Sequence, residues 1–272
     1  MMAERSINIR LNRALGQNFL KSDRISRRIV DSVEMDASST VVEIGVGSGS
    51  LTAVLLERGF NVIGFEIDTR FEEGNKKLEG ERCKLLYEDF LKADLSSLPE
   101  PVTYVANIPY YITSPIIERI MFEGPTFDKA VLMVQKEYAD RLTATPRTKE
   151  YGILTVNVNT FAEVTELFHV SKKEFIPQPE VDSMVIRLSL LENAPIERAE
   201  RTVYRRFVRQ CFSQRRKKLK NNLEGLVEFP ENLLQSSGIG ADVRAEELNK
   251  EDFVRLFRNV YPEGGVNPKT GE

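Results

Sequence analysis

Asn107, Ile108, Pro109 and Tyr110 stand directly after a short apolar run, residues 102–106, that predicts a buried strand. The Asn amide carries two donors and an acceptor and does not titrate. Pro109 biases Ile108 toward extended backbone, which lets the Ile108 carbonyl point outward. Tyr110 adds a flat aromatic face. Acceptors beside such a platform suit the exocyclic amine of a base drawn out of its stack. The same four residues also suit an ordinary turn after a strand, so the surrounding chain decides between the two.

Three other strand ends carry the argument. Residues 40–44 predict a strand, Gly45-Val46-Gly47-Ser48-Gly49 a loop, and residues 51–58 a helix. This is the first half of a nucleotide-binding βαβ unit, in which glycines let the backbone approach a ligand. Position 50 is Ser where the dinucleotide fingerprint has its third Gly, which favours a nucleoside without a pyrophosphate over NAD. Residues 61–65 predict the next strand, with Glu66, Ile67 and Asp68 at its end. Glu66 lies about twenty residues past the loop, where an acidic residue takes ribose hydroxyls; the plainer alternative is a solvated carboxylate. Asp68 suits a helix N-cap. Residues 84–87 predict a third strand, followed by Asp89, able to accept from an adenine amino group, and by Phe90 packing nearby. Ligands of open α/β sheets gather at the carboxyl ends of strands. Gly45, Glu66, Asp89 and Asn107 fall at four such ends, which is more specific than any one of them. Upstream, Gly16 breaks local structure, and Gln17 and Asn18 beside Phe19 and Leu20 could cover a ligand. On their own they suit a turn into a helix over 23–33 with Asp23 as its cap.

The elements that must position these residues form an α/β chain of 272 residues, long enough for a large domain with or without a smaller one. Residues 113–122 predict a helix capped by Thr113 with Pro115 in its first turn, 129–135 a strand, 136–142 a helix, and 163–169 and 183–190 further strands. Residues 151–161 fit helix or strand. Between the last two strands, Phe175-Ile176-Pro177-Gln178-Pro179-Glu180-Val181-Asp182-Ser183 is stiffened by its prolines and offers Phe175 as a second stacking face, or is a rigid connection.

Asn193-Ala194-Pro195 marks a domain boundary, and the pattern beyond it is helical. Arg198, Arg201, Arg205, Arg209, Arg216 and Lys220 recur at helical spacing, thickened by Arg206, Arg215, Lys217 and Lys218. Charge runs usually mean a solvated face. In a chain of net charge -3, a run of one sign suggests contact with phosphates. Short helices are expected over 230–234 and 249–260, and a frayed tail over 262–272.

Composition excludes several classes. No apolar run approaches membrane-spanning length, and the N-terminus, with Arg5, Arg10 and Arg13, lacks a signal-peptide core. Cys83, Cys211 and the lone His169 make neither a disulfide framework nor a zinc site. A cytoplasmic monomer is expected.

Taken together, Leu15-Gly16-Gln17-Asn18-Phe19-Leu20, Glu43 through Gly49, Glu66-Ile67-Asp68, Asp89, Asn107 through Tyr110, Phe175 through Ser183, and Phe212-Ser213-Gln214-Arg215-Arg216-Lys217 resemble the KsgA-type small-subunit ribosomal RNA adenine N6,N6-dimethyltransferases. The last motif separates this family from generic adenine methyltransferases and from the erythromycin-resistance type. Val46 and Tyr111 depart from the usual Pro or Ala and Asn. The resemblance implies a Rossmann-like S-adenosylmethionine-dependent methyltransferase domain over 1–193 and a small helical rRNA-binding domain over 194–272. It implies cofactor contacts at Gln17, Asn18, Leu20, Gly45, Gly47, Glu66, Ile67, Asp89, Phe90 and Asn107. Asn107, Ile108, Pro109, Tyr110 and Phe175 would hold the target adenine, and Arg205, Arg209, Arg215, Arg216, Lys217 and Lys220 the RNA. The family dimethylates two adjacent adenosines near the 3′ end of small-subunit rRNA in a pre-ribosomal particle, late in assembly. A sulfonium is already a good leaving group, so this chemistry asks for no metal.

Overall fold

The computed structural model describes residues 16–36 and 39–262. Arg5, Arg10, Arg13, Leu15 and the tail beyond residue 262 lie outside the described residues. The chain runs β1 (Phe19–Leu20), α1 (Asp23–Asp31), β2 (Thr40–Ile44), α2 (Ser50–Glu57), β3 (Asn61–Phe65), α3 (Glu72–Asn75), β4 (Cys83–Leu86), β5 (Val102–Asn107), α4 (Thr113–Phe122), β6 (Phe127–Gln135), α5 (Lys136–Leu142), α6 (Ile153–Asn159), β7 (Ala162–Val170), β8 (Phe175–Ile176), β9 (Ser183–Leu190), α7 (Arg201–Cys211), α8 (Leu219–Leu223), α9 (Pro230–Ser236) and α10 (Lys250–Val260).

The main sheet has seven strands in the order β4-β3-β2-β5-β6-β9-β7. β4, β3, β2, β5 and β6 are parallel neighbours, and β9 returns antiparallel to β6. The central strands are apolar almost without interruption because both faces are covered. Ile25, Ile29 and Val30 of α1 and Leu51, Val54 and Leu55 of α2 pack on one face, against Val41, Val62 and Val105. Elsewhere in the core Phe90 meets Phe65 and Tyr104 edge-on at 5.3 and 6.2 Å, and Tyr104 meets Phe127 at 5.7 Å. The strand order reverses at β2, with β3 on one side and β5 on the other, so its carboxyl end is a topological switch point. Ile44 is level with both Phe65 and Ala106, so Gly45, Glu66 and Asn107 leave three neighbouring strands at one height.

Two compact units emerge. The first is the chain up to Ala139 with Thr165–Ser189; the second is Asp140–Val164 with the chain from Leu190 onward. The division differs from a single cut near residue 193: residues 140–164, including α6, belong with the later helices. There Tyr151 donates its hydroxyl to Leu248 O at 2.7 Å, and Phe161 meets Tyr204 edge-on at 5.6 Å.

Other expectations shift in detail. Ser22, not Asp23, is the N-cap residue of α1. Thr113 begins α4 rather than capping it, and its hydroxyl donates to Tyr110 O at 3.1 Å. Asp68 does cap, accepting from Arg70 N–H at the head of the turn over 69–71. Residues 153–159 of the ambiguous stretch are helical. The basic run is not one helix. α7 stops at Cys211, and Asn222 Nδ2 satisfies the terminal carbonyl by donating to Cys211 O at 2.6 Å. Phe212 then stacks on Phe253 at 5.5 Å, and a turn carries Arg215–Lys217 off the α7 face.

Candidate active site

A cavity of about 280 Å³ opens at the switch point, lined by the glycine loop, the ends of β3 and β5, the Asp89 turn and the strap over 16–20. Gly45, Gly47 and Gly49 all have positive φ, at 82°, 54° and 74°. A Cβ on Gly47 would come 3.0 Å from the Phe19 ring, and one on Gly49 2.4 Å from Leu78 Cδ1, so the loop is closely packed as well as left-handed. Asn75 braces it, donating Nδ2 to Gly47 O at 2.9 Å.

Glu66 faces this cradle from the end of β3. Gly47 N–H donates to its Oε2 at 2.6 Å and Asp68 N–H to its Oε1 at 2.8 Å. Burial raises its pKa, opposed by these two amide bonds. The Ile67 amide also acts on this carboxylate, which as an ionised group still has acceptor capacity for hydroxyl donors in the cavity. Asp68 turns away: Arg70 and Gln17 bind its carboxylate and hold its pKa down at about 2. Gln17 Nε2 donates to Asp68 Oδ2 at 2.7 Å, which ties the strap to the β3 end. Asp89 lines the cavity, its Oδ1 accepting from Leu91 N–H at 2.9 Å. Arg119 of α4 anchors that turn by donating Nη1 to Leu91 O at 2.5 Å and Nη2 to Ala93 O.

Asn107 Nδ2 donates to Asn18 O at 3.2 Å, which fixes the amide and leaves Oδ1 to accept. Ile108 N–H donates to Met133 O at 3.2 Å and its side chain is buried, so only its backbone serves the cavity. Pro109, at φ -58° and ψ 127°, leads into a turn over Tyr110–Ile112. Tyr110 is held at 2.7 Å, hydroxyl to hydroxyl, by Ser183, and burial raises its pKa. Phe175 departs from expectation. Its ring is 1% exposed in the core, and it is not among the cavity-lining residues. The cause is β8, which pairs antiparallel with β1, Leu20 opposite Phe175 and Phe19 opposite Ile176. Alternation along that short strand turns Phe175 inward and Ile176 outward.

Gln17, Asn18, Leu20, Gly45, Gly47, Glu66, Ile67, Asp89, Phe90 and Asn107 all line this one cavity, as do Ile108, Pro109 and Tyr110. Two other lining residues, Glu43 and Ser26, have no role readable from the sequence. Glu43 lies inside a strand, fully buried, with Thr52 Oγ1 donating to its Oε2 at 2.7 Å; burial raises its pKa to about 8. Ser26 looks like any helix serine, yet its Oγ is buried without a hydrogen-bond partner among the described residues. The basic residues Arg205, Arg209, Arg215, Arg216, Lys217 and Lys220 belong to the second unit and are not among the lining residues. Arg215 and Lys220 are ion-paired there, with Glu246 at 2.7 Å and Glu231 at 2.5 Å.

The residues fit S-adenosylmethionine. The glycine loop admits backbone approach, the Glu66 oxygens can take ribose hydroxyls, and the Ser26 hydroxyl is an unpartnered polar atom on the cavity wall. With amine acceptors at the rim and a nucleoside-sized hollow beneath them, this is the class of the Rossmann-like methyltransferases. The chain belongs to the ribosomal RNA adenine dimethylase family, whose sequence model matches residues 8–261. The ribosomal RNA small subunit methyltransferase A of Thermotoga neapolitana is 41% identical over 259 residues, covering 93% of this chain and 92% of its own. That of Clostridium acetobutylicum is 37% identical over 262 residues, covering 93% and 95%. Among solved structures, a dimethyladenosine transferase from Plasmodium falciparum matches with TM-score 0.78 and 28% identity, over 90% of this chain and 98% of that one. The 23S rRNA methyltransferase ErmE matches with TM-score 0.66 and 30% identity, over 89% and 98%. This chain is an S-adenosylmethionine-dependent rRNA adenine dimethyltransferase.

Proposed function

We propose that the chain dimethylates the N6 amines of two adjacent adenosines near the 3′ end of small-subunit rRNA, acting as a cytoplasmic monomer on a pre-ribosomal particle late in assembly. The observation that carries this reading is the Asn107 amide on the cavity wall, pinned to the strap through Nδ2, which leaves Oδ1 to accept from a substrate amine. The small-subunit name of the curated relatives and the Phe212–Lys217 motif favour this target over a large-subunit one.

In this reading Glu66 and the glycine loop take the cofactor ribose, Asp89 its adenine amino group, and the strap of Gln17, Asn18 and Leu20 lies across it. Bound there, S-adenosylmethionine supplies a methyl group on a sulfonium, already activated for transfer. The residues of this chain then have to prepare the amine, whose lone pair is delocalised into the adenine ring. Asn107 Oδ1 and the Ile108 carbonyl accept from the two N–H groups and localise that pair. Tyr110, held by Ser183, supports the ring from one side. The amine becomes strongly acidic as the new bond forms, so its proton is lost to water without a dedicated base. Positioning for in-line transfer then carries most of the rate. For the second round, the monomethylated amine, with one N–H left, returns to one of these two acceptors.

Mass spectrometry of small-subunit rRNA from cells lacking the protein tests this. Loss of the paired dimethyladenosines is expected, restored by the wild type and not by Asn107→Ala. Unaltered small-subunit rRNA with a methyl missing elsewhere would overturn the proposed target.

A further inference from the structure

With Phe175 buried and outside the cavity lining, the second stacking face expected of it is missing. Another ring stands at the rim. Tyr111 lines the cavity and is 58% exposed. It shares a short turn with Tyr110, yet the two diverge: Tyr110 is tied to Ser183, while Tyr111 leans on the strap. A Cβ on Gly16 would come within 2.9 Å of Tyr111 Cδ1 and 3.1 Å of Cε1, and Gly16 has φ +57°, so only glycine leaves room for this ring. The turn beneath is firm. Ile112 N–H donates to Pro109 O and the Thr113 hydroxyl to Tyr110 O, both at 3.1 Å. Tyr111 is thus a ring on a firm turn, with one side against Gly16 and much of it in water.

An adenine that leaves its strand deprives the next base of a stacking partner. Proteins that splay single-stranded RNA replace that partner with an aromatic side chain, tolerant of sequence because every base has a π-face. A ring on a firm turn loses little freedom in doing so. We propose that Tyr111 stacks on the base of the nucleotide flanking the adenosine being methylated and holds the strand at the cavity mouth. The inference rests on the rRNA-adenine reading. With two adjacent targets, the flanking base is the second adenine, parked on Tyr111 while the first is in the pocket.

Two measurements test it. In methyl transfer to undermethylated small-subunit particles, Tyr111→Ala should raise KM about tenfold or more, the usual worth of one stacked base, and Tyr111→Phe, which keeps the ring, should recover most of that loss. S-adenosylmethionine affinity, measured by calorimetry, should be unchanged in both. The sequence contains no tryptophan, so Tyr111→Trp installs a unique fluorophore. Its emission should be quenched by a short single-stranded RNA carrying adjacent adenosines, and quenched less when the flanking nucleotide is abasic. A wild-type KM in Tyr111→Ala would overturn the proposal. So would a parallel loss of cofactor affinity, which would mean that the ring only props the strap, or quenching indifferent to the abasic site. Failure of the wild type to methylate the particles would instead overturn the functional reading itself.

Discussion

Two of the glutamates lining the cavity, Glu43 and Glu66, differ in what they do there. Glu66 is held by backbone amides and lines the hollow. Glu66→Ala should weaken S-adenosylmethionine binding by about 1–3 kcal/mol, the worth of a charge-assisted bond; equal affinity by calorimetry would remove it from the site. Glu43 is sealed in β2. Burial moves its pKa from 4.5 to about 8, opposed by the Thr52 hydroxyl and reinforced by the charge of Glu66. Below pH 4.5 both states hold the proton. Between 4.5 and 8 the unfolded chain has lost it and the folded chain keeps it, so this group's contribution to stability falls as pH rises across that window. Glu43→Gln keeps an acceptor for Thr52 and cannot ionise. Denaturant unfolding at pH 5 and pH 8 should find the variant losing less stability on going up in pH, by roughly a few kcal/mol at one pKa unit per 1.4 kcal/mol. Parallel profiles would mean that Glu43 ionises freely in the fold. Asn107 acts on rate instead. Asn107→Ala should lower single-turnover methyl transfer by about 100-fold or more while cofactor affinity changes far less, because the acceptor matters most as the amine's charge develops.

At the scale of elements, the cavity is made by turns that strands deliver and other elements hold. Strand ends were legible in the sequence. β2, β3, β4 and β5 are short apolar runs ended by Gly or polar residues, and period and punctuation survive in one dimension. The pairing of β1 with β8 was not, because two-residue strands more than 150 positions apart have no periodicity and meet only through the fold. That pairing decides which way Phe175 faces, so its burial was equally invisible. The end of α7 was hidden for a related reason: helical spacing of arginines continues past Cys211, and the side chain that satisfies the terminal carbonyl, Asn222, lies 11 residues on. Arg119 is a third such case. Its spacing in α4 is ordinary, yet its guanidinium grips the carbonyls of Leu91 and Ala93 beside Asp89, and its side chain is only 16% exposed. Arg119→Met keeps the stem and removes the grip. Cofactor affinity should fall about three- to tenfold, on the scale of one or two hydrogen bonds to a loop that must then be ordered on binding. Thermal unfolding of the same variant should separate this from global loss of structure, since the effect on binding should persist well below the midpoint. Unchanged affinity in a folded variant would show that the Asp89 turn holds its shape unaided.

For the whole molecule, charge is unevenly spread over a chain whose net charge is only -3. The cavity belongs to the first unit and the basic stretch after α7 to the second. The pairing within that stretch sorts its residues into two groups. Arg215 donates to Glu246 and to Lys149 O, Lys218 to Asp242, and Lys220 to Glu231, so these cations also hold their own unit together. Arg216 and Lys217 sit exposed in the turn between α7 and α8 and make no ion pair among the described residues. Phosphate contacts position a nucleic acid and base contacts select it. The proposed division of labour therefore gives Arg216 and Lys217 to the rRNA backbone and Asn107 with Tyr110 to the base. Replacing Arg216 and Lys217 together with Ala leaves the paired cations in place and should not unfold the unit. Affinity for small-subunit particles should fall, and the log–log slope of affinity against salt should flatten by about one unit for each phosphate that is no longer neutralised. S-adenosylmethionine affinity should stay at the wild-type value. Particle binding across a salt series, with calorimetry of the cofactor alongside, decides the matter. An unchanged slope would remove this turn from the RNA-binding surface, and a matching drop in cofactor affinity would mean that the turn serves the cavity rather than the backbone of the substrate.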